Sequence, residues 1–106
     1  MWTVVAPMNQ DRGVPGVVAV NHGSDHLIVV VGGCQFADGQ LLALRQSTEV
    51  YNLATGEWQL LKAQLPHATC SLGSAVDADG TVLAIAGGIE VDGTVTATAE
   101  VDALTL

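Results

Sequence analysis

The sequence predicts an all-β fold. Three observations carry that reading. Apolar residues alternate with polar ones or run in short β-branched blocks, as in residues 27–31 (LIVVV). Asp-Gly dipeptides, at Asp38-Gly39, Asp79-Gly80 and Asp92-Gly93, punctuate the chain where tight turns are needed. No stretch of helical periodicity is long enough for a substantial helix. The 106 residues make one small domain, and an apolar share of 49% is enough to fill its core.

Eight strands are expected, in order. Residues 2–6 (WTVVA) and 17–20 (VVAV) come first, followed by the fully apolar block 27–31. Residues 49–52 (EVYN) and 58–61 (WQLL) flank a short hairpin connection, 52–57 (NLATGE). Residues 73–76 (GSAV), 82–86 (VLAIA) and 94–101 (TVTATAEV) complete the set. Residues 40–47 (QLLALRQS) are the one segment that suits a helical turn.

Composition excludes several classes. Three Lys and Arg against eleven Asp and Glu give a net charge of −8, which repels phosphate backbones and anionic lipid, so nucleic acid is not an expected partner. The longest strongly apolar run ends at Gly32-Gly33, far short of the roughly 20 residues of a membrane helix. No basic, then apolar, signal-peptide start is present, which points weakly to a cytoplasmic location. Cys34 and Cys70 lack CxxC spacing and are expected as buried small hydrophobes or neutral loop residues. No cofactor is called for.

The chain repeats itself. Trp2 and Trp58 lie 56 apart, the diglycines Gly32-Gly33 and Gly87-Gly88 lie 55 apart, and the pairs Glu49-Val50 and Glu100-Val101 lie 51 apart. Three landmarks thus share one order and nearly one period. The pattern resembles the kelch repeat: an apolar strand closed by Gly-Gly, a loop, a Glu-x-Tyr strand, a turn, then Trp. The first copy carries Gly32, Gly33, Glu49, Tyr51 and Trp58; the second keeps Gly87, Gly88 and Glu100, but has Asp102 in place of the Tyr and no following Trp. Arg12 matches an Arg common in the family, and the second copy has residues 67–69 there instead.

The resemblance implies a β-propeller with two four-stranded blades per chain, blade one over about residues 15–62 and blade two over about 70–106. Two blades do not close a propeller, for which 4–8 is usual. The order of elements puts a Trp strand ahead of blade one and leaves blade two without its outer strand. Residues 2–6 of a neighbouring chain are therefore expected to complete blade two, closing a ring head to tail. Three copies, giving six blades, is the favoured closure; tetramer and dimer are the others. The expected function is a non-catalytic binding or interaction scaffold, with the chain itself as first partner and a protein or small molecule at the channel mouth as second. The alternatives are a fragment of a larger kelch protein and a sugar-modifying enzyme of kelch-propeller type.

Candidate ligand-binding residues follow from that layout. Arg12, Gln35 and His67 fall in loops expected at the channel mouth, residues 6–16, 33–47 and 63–73. Arg12 could hold a carboxylate, but a structural bridge to backbone carbonyls or to an acid of the next blade is the favoured role. Glu49 is expected to accept a hydrogen bond from the neighbouring blade, a structural role. Arg45 reads as a solvated charge. His22 and His26 flank a turn and are not expected to converge on a metal, and Asp77-Ala78-Asp79-Gly80 reads as a hairpin turn. Neither a catalytic nor a metal constellation is expected.

Overall fold

The computed structural model describes residues 1–70, 73–85 and 87–106. Its described residues form only strands, turns and irregular backbone, in several small sheets with no closed barrel. The largest sheet is four-stranded, in the order β1 (Gly16–His22), β2 (Asp25–Val31), β5 (Thr48–Asn52) and β6 (Glu57–Leu60), all antiparallel. One face packs into the core through Val18, Val20, Leu27, Val29, Val31 and Val50, so β1 alternates, while Val30 and Glu49 of the inner strands are buried on the other face as well. On the other face, Tyr51 pairs with Trp58 across the β5–β6 ladder, ring centroids 5.0 Å apart.

A three-stranded sheet repeats the first three positions of that plan. Its order is β8 (Gly73–Val76), β9 (Val82–Ile85) and β12 (Val101–Leu104), again antiparallel. Val82 and Ala84 of β9 close the core against the first sheet, with Leu65 from the connector and Leu61, Leu104 and Leu106 at the margin. The inner strands meet where the Ser74 hydroxyl donates to the Val17 carbonyl, 3.0 Å. The opposite face of this sheet is open: Ile85 and Val101, partners across the β9–β12 ladder, are both exposed.

Each sheet carries a hairpin between its second and third strands. In the first it is β3 (Cys34–Ala37) with β4 (Gln40–Leu44); in the second it is β10 (Gly88–Val91) with β11 (Thr94–Ala97). The two-residue strand β7 (Thr69–Cys70) pairs with β10. Asp38-Gly39 and Asp92-Gly93 close these hairpins, all four residues at positive φ. The turn expected at 77–80 also forms, its Asp77 carboxylate accepting from the amides of Asp79 and Thr81.

Four expectations are corrected. Residues 40–44 are strand β4, not a helical turn, because the Asp38-Gly39 turn folds them back onto β3. The segment 94–101 is not one strand: β11 pairs with β10, the chain turns where the Glu100 amide donates to Thr98 Oγ1, and β12 joins β9. Residues 2–6 form no strand in the single chain, and Trp2 is fully exposed. Cys34 and Cys70 are not free: they form a disulfide. The strand expected at 82–86 is β9, Val82–Ile85, with Ala86 outside the described residues.

The disulfide closes a loop of sequence separation 36, from the start of the first hairpin to the strand that opens the second. Disulfides persist mainly in oxidising compartments. Loop-closure entropy at this separation gives an upper stabilisation of about 3–4 kcal/mol. Reduction, or Cys70→Ala, is expected to lower the urea midpoint accordingly, read by tryptophan fluorescence with and without reductant. An unchanged midpoint would show that the two connectors are held without it.

Candidate functional site

The most strongly constructed polar site lies where the connector entering β1 crosses the first sheet. Glu49 sits in the middle strand β5, and its side chain has 0% exposure. Such a carboxylate must be paired and hydrogen-bonded to exist there. Asn9 and Gln10 donate their amides to its two oxygens, at 2.7 and 3.1 Å. Arg12 completes the set, its Nε 3.1 Å and its Nη2 3.0 Å from Glu49 Oε2. Burial alone would raise the Glu49 pKa, but the Asn9 amide, the Arg12 guanidinium and the Gln10 amide together hold it below the ordinary 4.5.

Arg12 is saturated. Its Nη1 donates to the carbonyls of Gly32 and Ser47, both at 2.9 Å, and its Nη2 to Ser47 Oγ at 2.8 Å and to Gln10 Oε1 at 3.3 Å. The guanidinium is as buried as its partner. The diglycine makes this approach possible: a Cβ on Gly33 would stand 3.0 Å from the Gly13 carbonyl oxygen and 3.1 Å from Arg12 Cβ, and its φ of 107° is a glycine conformation. Arg12 therefore acts as the structural bridge, with every donor satisfied inside the chain.

The other sequence candidates are placed apart from that buried pair. Gln35 is on β3, beside the bridge between Gly13 and Cys34. His67 lies in the connector to the second sheet, its Nδ1 3.3 Å from both carboxylate oxygens of Glu100. Arg45 is not simply solvated: its guanidinium meets Asp11 at 2.7 Å, and its backbone bridges to Thr69. His22 and His26 flank the Gly23-Ser24 turn, and His26 Nδ1 lies 2.6 Å from Asn21 Oδ1. Among the described residues, no group of three or more potential ligands could hold a metal ion. Arg12, Gln35 and His67 line none of the three cavities described.

The largest of these three cavities, about 710 Å³, lies elsewhere. It is a cleft between the outer part of the first sheet and the end of the second. Trp58, Gln59 and Leu61 form one wall, Leu104 and Leu106 the other, with Lys62 at the margin. Among the described residues, β12 pairs only with β9, so its other edge is unpaired. The exposed segment 2–6 meets the first sheet at its last residue, where the Trp58 indole donates to the Ala6 carbonyl, 2.8 Å. The residue pattern did not point to Asn9, Gln10 or Ser47, whose contributions come from backbone groups, a hydroxyl and the Gln10 side-chain amide. No protein-family model matches the chain, and no curated protein matches it.

Removing Arg12 leaves a buried, uncompensated carboxylate, a loss of about 3–5 kcal/mol. Arg12→Ala is expected to show it in urea denaturation at pH 7. The sign with pH follows from the lowered Glu49 pKa: its stabilisation is present above the ordinary 4.5 and is lost as pH falls through the folded value. The gap between Arg12→Ala and the parent should therefore narrow on acidification, because protonated Glu49 needs no counter-charge. A gap constant from pH 7 to 3 would mean that Arg12 acts through packing alone.

Proposed function

We propose that the chain is a kelch-like propeller segment of two blades that assembles with copies of itself into a closed ring, and that the ring is a non-catalytic scaffold for binding. One observation carries the reading. The chain combines an edge of β12 that is unpaired among the described residues with an exposed apolar segment, residues 2–6, that has no strand partner among them.

The internal repeat supports the match between the two. Strand β6 runs through a connector into β8, the first strand of the second sheet. Residues 2–6 stand in the same relation to β1, and Trp2 precedes Trp58 by 56 positions. The connectors make corresponding contacts: Gly13 bridges to Cys34, and Thr69 pairs with Ile89. Residues 2–6 thus have the sequence character of an outer strand, and the proposed assembly would supply its sheet. The cleft wall formed by Trp58, Leu61, Leu104 and Leu106 offers apolar surface to Trp2, Val4 and Val5. Main-chain pairing to an exposed edge would supply affinity, and the side-chain pockets would set the register.

Such a contact is heterologous, so copies add head to tail until the rotation closes. Three copies give six blades. Ring closure would also cover the exposed face of Ile85 and Val101, which is an aggregation hazard in a lone sheet. The hairpins β3–β4 and β10–β11 would then recur around the ring, presenting Phe36, Leu41, Val91 and Val95, all exposed, to a partner.

Light scattering on a sizing column tests the assembly. The expected species is near 33 kDa, about three times the 10.9 kDa chain, and stable on dilution. Val4→Lys is expected to dissociate it to folded monomer by placing a charge in the apolar cleft. A chain that stays monomeric at every concentration overturns the reading. An assembly indifferent to Val4→Lys overturns the role of residues 2–6.

A further inference from the structure

Glu49 shows what this fold does with a buried carboxylate: two amides and a guanidinium converge on it. The second sheet holds a carboxylate without that provision. Asp102 stands in β12 opposite Ala84, and Leu104 stands opposite Val82. Both partners belong to the core, so the pleat turns Asp102 and Leu104 to the core side of the sheet. There Asp102 Oδ2 is shut off from solvent and has no hydrogen-bond partner among the described residues. An acceptor in that state costs free energy until a donor reaches it.

A cavity of about 140 Å³ lies at the same place, bounded by Asp102, the connector 63–66 and residues of both sheets. Val31, Leu65, Val82 and Ala84 line it and are all buried. The only polar side chains along it are those of Thr48, Gln64 and Asp102. A buried water needs about two to four polar partners, so a water beside Asp102 leaves most of the volume facing hydrocarbon. An apolar cavity of about 150 Å³ accepts a guest the size of benzene. The rim is on the connector, where Ala63, Gln64 and Pro66 are exposed. Leu65 holds that rim in place: its amide donates to the Gln46 carbonyl at 2.9 Å, and its carbonyl accepts from Gln46 Nε2 at 2.6 Å.

No cation of the chain fills the place. Of the three Lys and Arg, Arg12 is committed to Glu49 and Arg45 to Asp11. Lys62 is exposed and lines the larger cleft instead. His67 meets Glu100 at 3.3 Å and does not line the cavity. No salt bridge among the described residues includes Asp102.

We propose that this cavity binds a small primary alkylammonium ion of about four to six carbons, its nitrogen donating to Asp102 Oδ2 and its chain lying against Val31, Leu65, Val82 and Leu104. The head supplies both the donor and the positive charge that the site lacks. A primary ammonium carries three donors, and Thr48 and Gln64 are the other polar side chains of the same cavity. The chain fills the apolar volume that water leaves unsatisfied. A neutral alcohol of the same length fills that volume but brings no charge, and an anion is repelled by Asp102. The Asp102 pKa agrees in direction: burial, then the neighbouring Glu100, push it above the ordinary 3.8, as for a carboxylate without its cation.

Every lining residue belongs to one chain, so the test reads the same for a monomer and a ring. The full chain is titrated with n-butylammonium chloride at about pH 7.5, where the amine is charged. About 0.15 M salt screens attraction to the acidic surface. Amide NMR shifts are expected to saturate at Val82–Ile85 and Val101–Leu104, with 1-butanol at least about tenfold weaker. Asp102→Asn keeps the shape of the side chain and should raise the Kd about ten- to a hundredfold. Ala63→Phe, at the exposed rim, should also weaken binding by narrowing the mouth. No shifts, or shifts that never saturate and spread over the exposed acids, overturn the site: its occupant is then water and the amine meets only the surface. Equal affinity for 1-butanol, or a folded Asp102→Asn chain that binds as the parent does, overturns recognition of the ammonium by Asp102.

Discussion

A buried carboxylate organises this small all-β chain. Glu49 stands in the central part of the largest sheet, away from water, and its charge is tolerated only because two backbone amides and a guanidinium converge on it. A buried ion pair contributes little net stability over an apolar alternative. What it contributes here is position. The requirement for Arg12 at Glu49 fixes the course of residues 9–12, and Gly13 is then in register to bridge to Cys34. The neighbouring Cys34–Cys70 bond and the Arg45–Thr69 bridge carry the same constraint into the second connector. Loss of the ion pair would disturb the relation between the two sheets as well as one contact.

The two halves share topology and differ in completeness. The first sheet has four strands, an aromatic pair on its outer ladder and a fully satisfied arginine. The second has three strands, an exposed apolar face and a half-exposed histidine in the arginine's place. An open, apolar sheet edge beside a cleft is a hazard in an isolated domain. The same edge becomes an asset if a complementary strand is always at hand, and under the proposed assembly residues 2–6 would be that strand. Instability in one half and a spare segment in the other are thus two aspects of one design under the proposed assembly.

Much of the first sheet was legible in the residues because its signals are local. Alternation in 17–20, the β-branched block 27–31, and the Glu-x-Tyr and Trp segments around a short turn all correspond to β1, β2, β5 and β6. Asp-Gly turns were equally legible, since φ preference belongs to the dipeptide. Residues 40–44 were not: their leucines fit either period, and only the return onto β3 decides the matter. The break within 94–101 was also hidden, because nothing local tells a strand that its two halves pair with different partners.

The amino-acid sequence by itself determined the all-β class, the turn positions, the acidic surface and the repeat that relates the two halves, since each depends on residue type and near-neighbour spacing. Tertiary structure alone decided the Cys34–Cys70 bond, the full burial of Arg12 and Glu49, and the juxtaposition of His67 with Glu100. Those features join residues more than 30 positions apart, and their chemistry exists only once two connectors have been laid across two sheets. Water is excluded from a carboxylate, or not, by the whole assembly of strands around it, and no window of sequence contains that information.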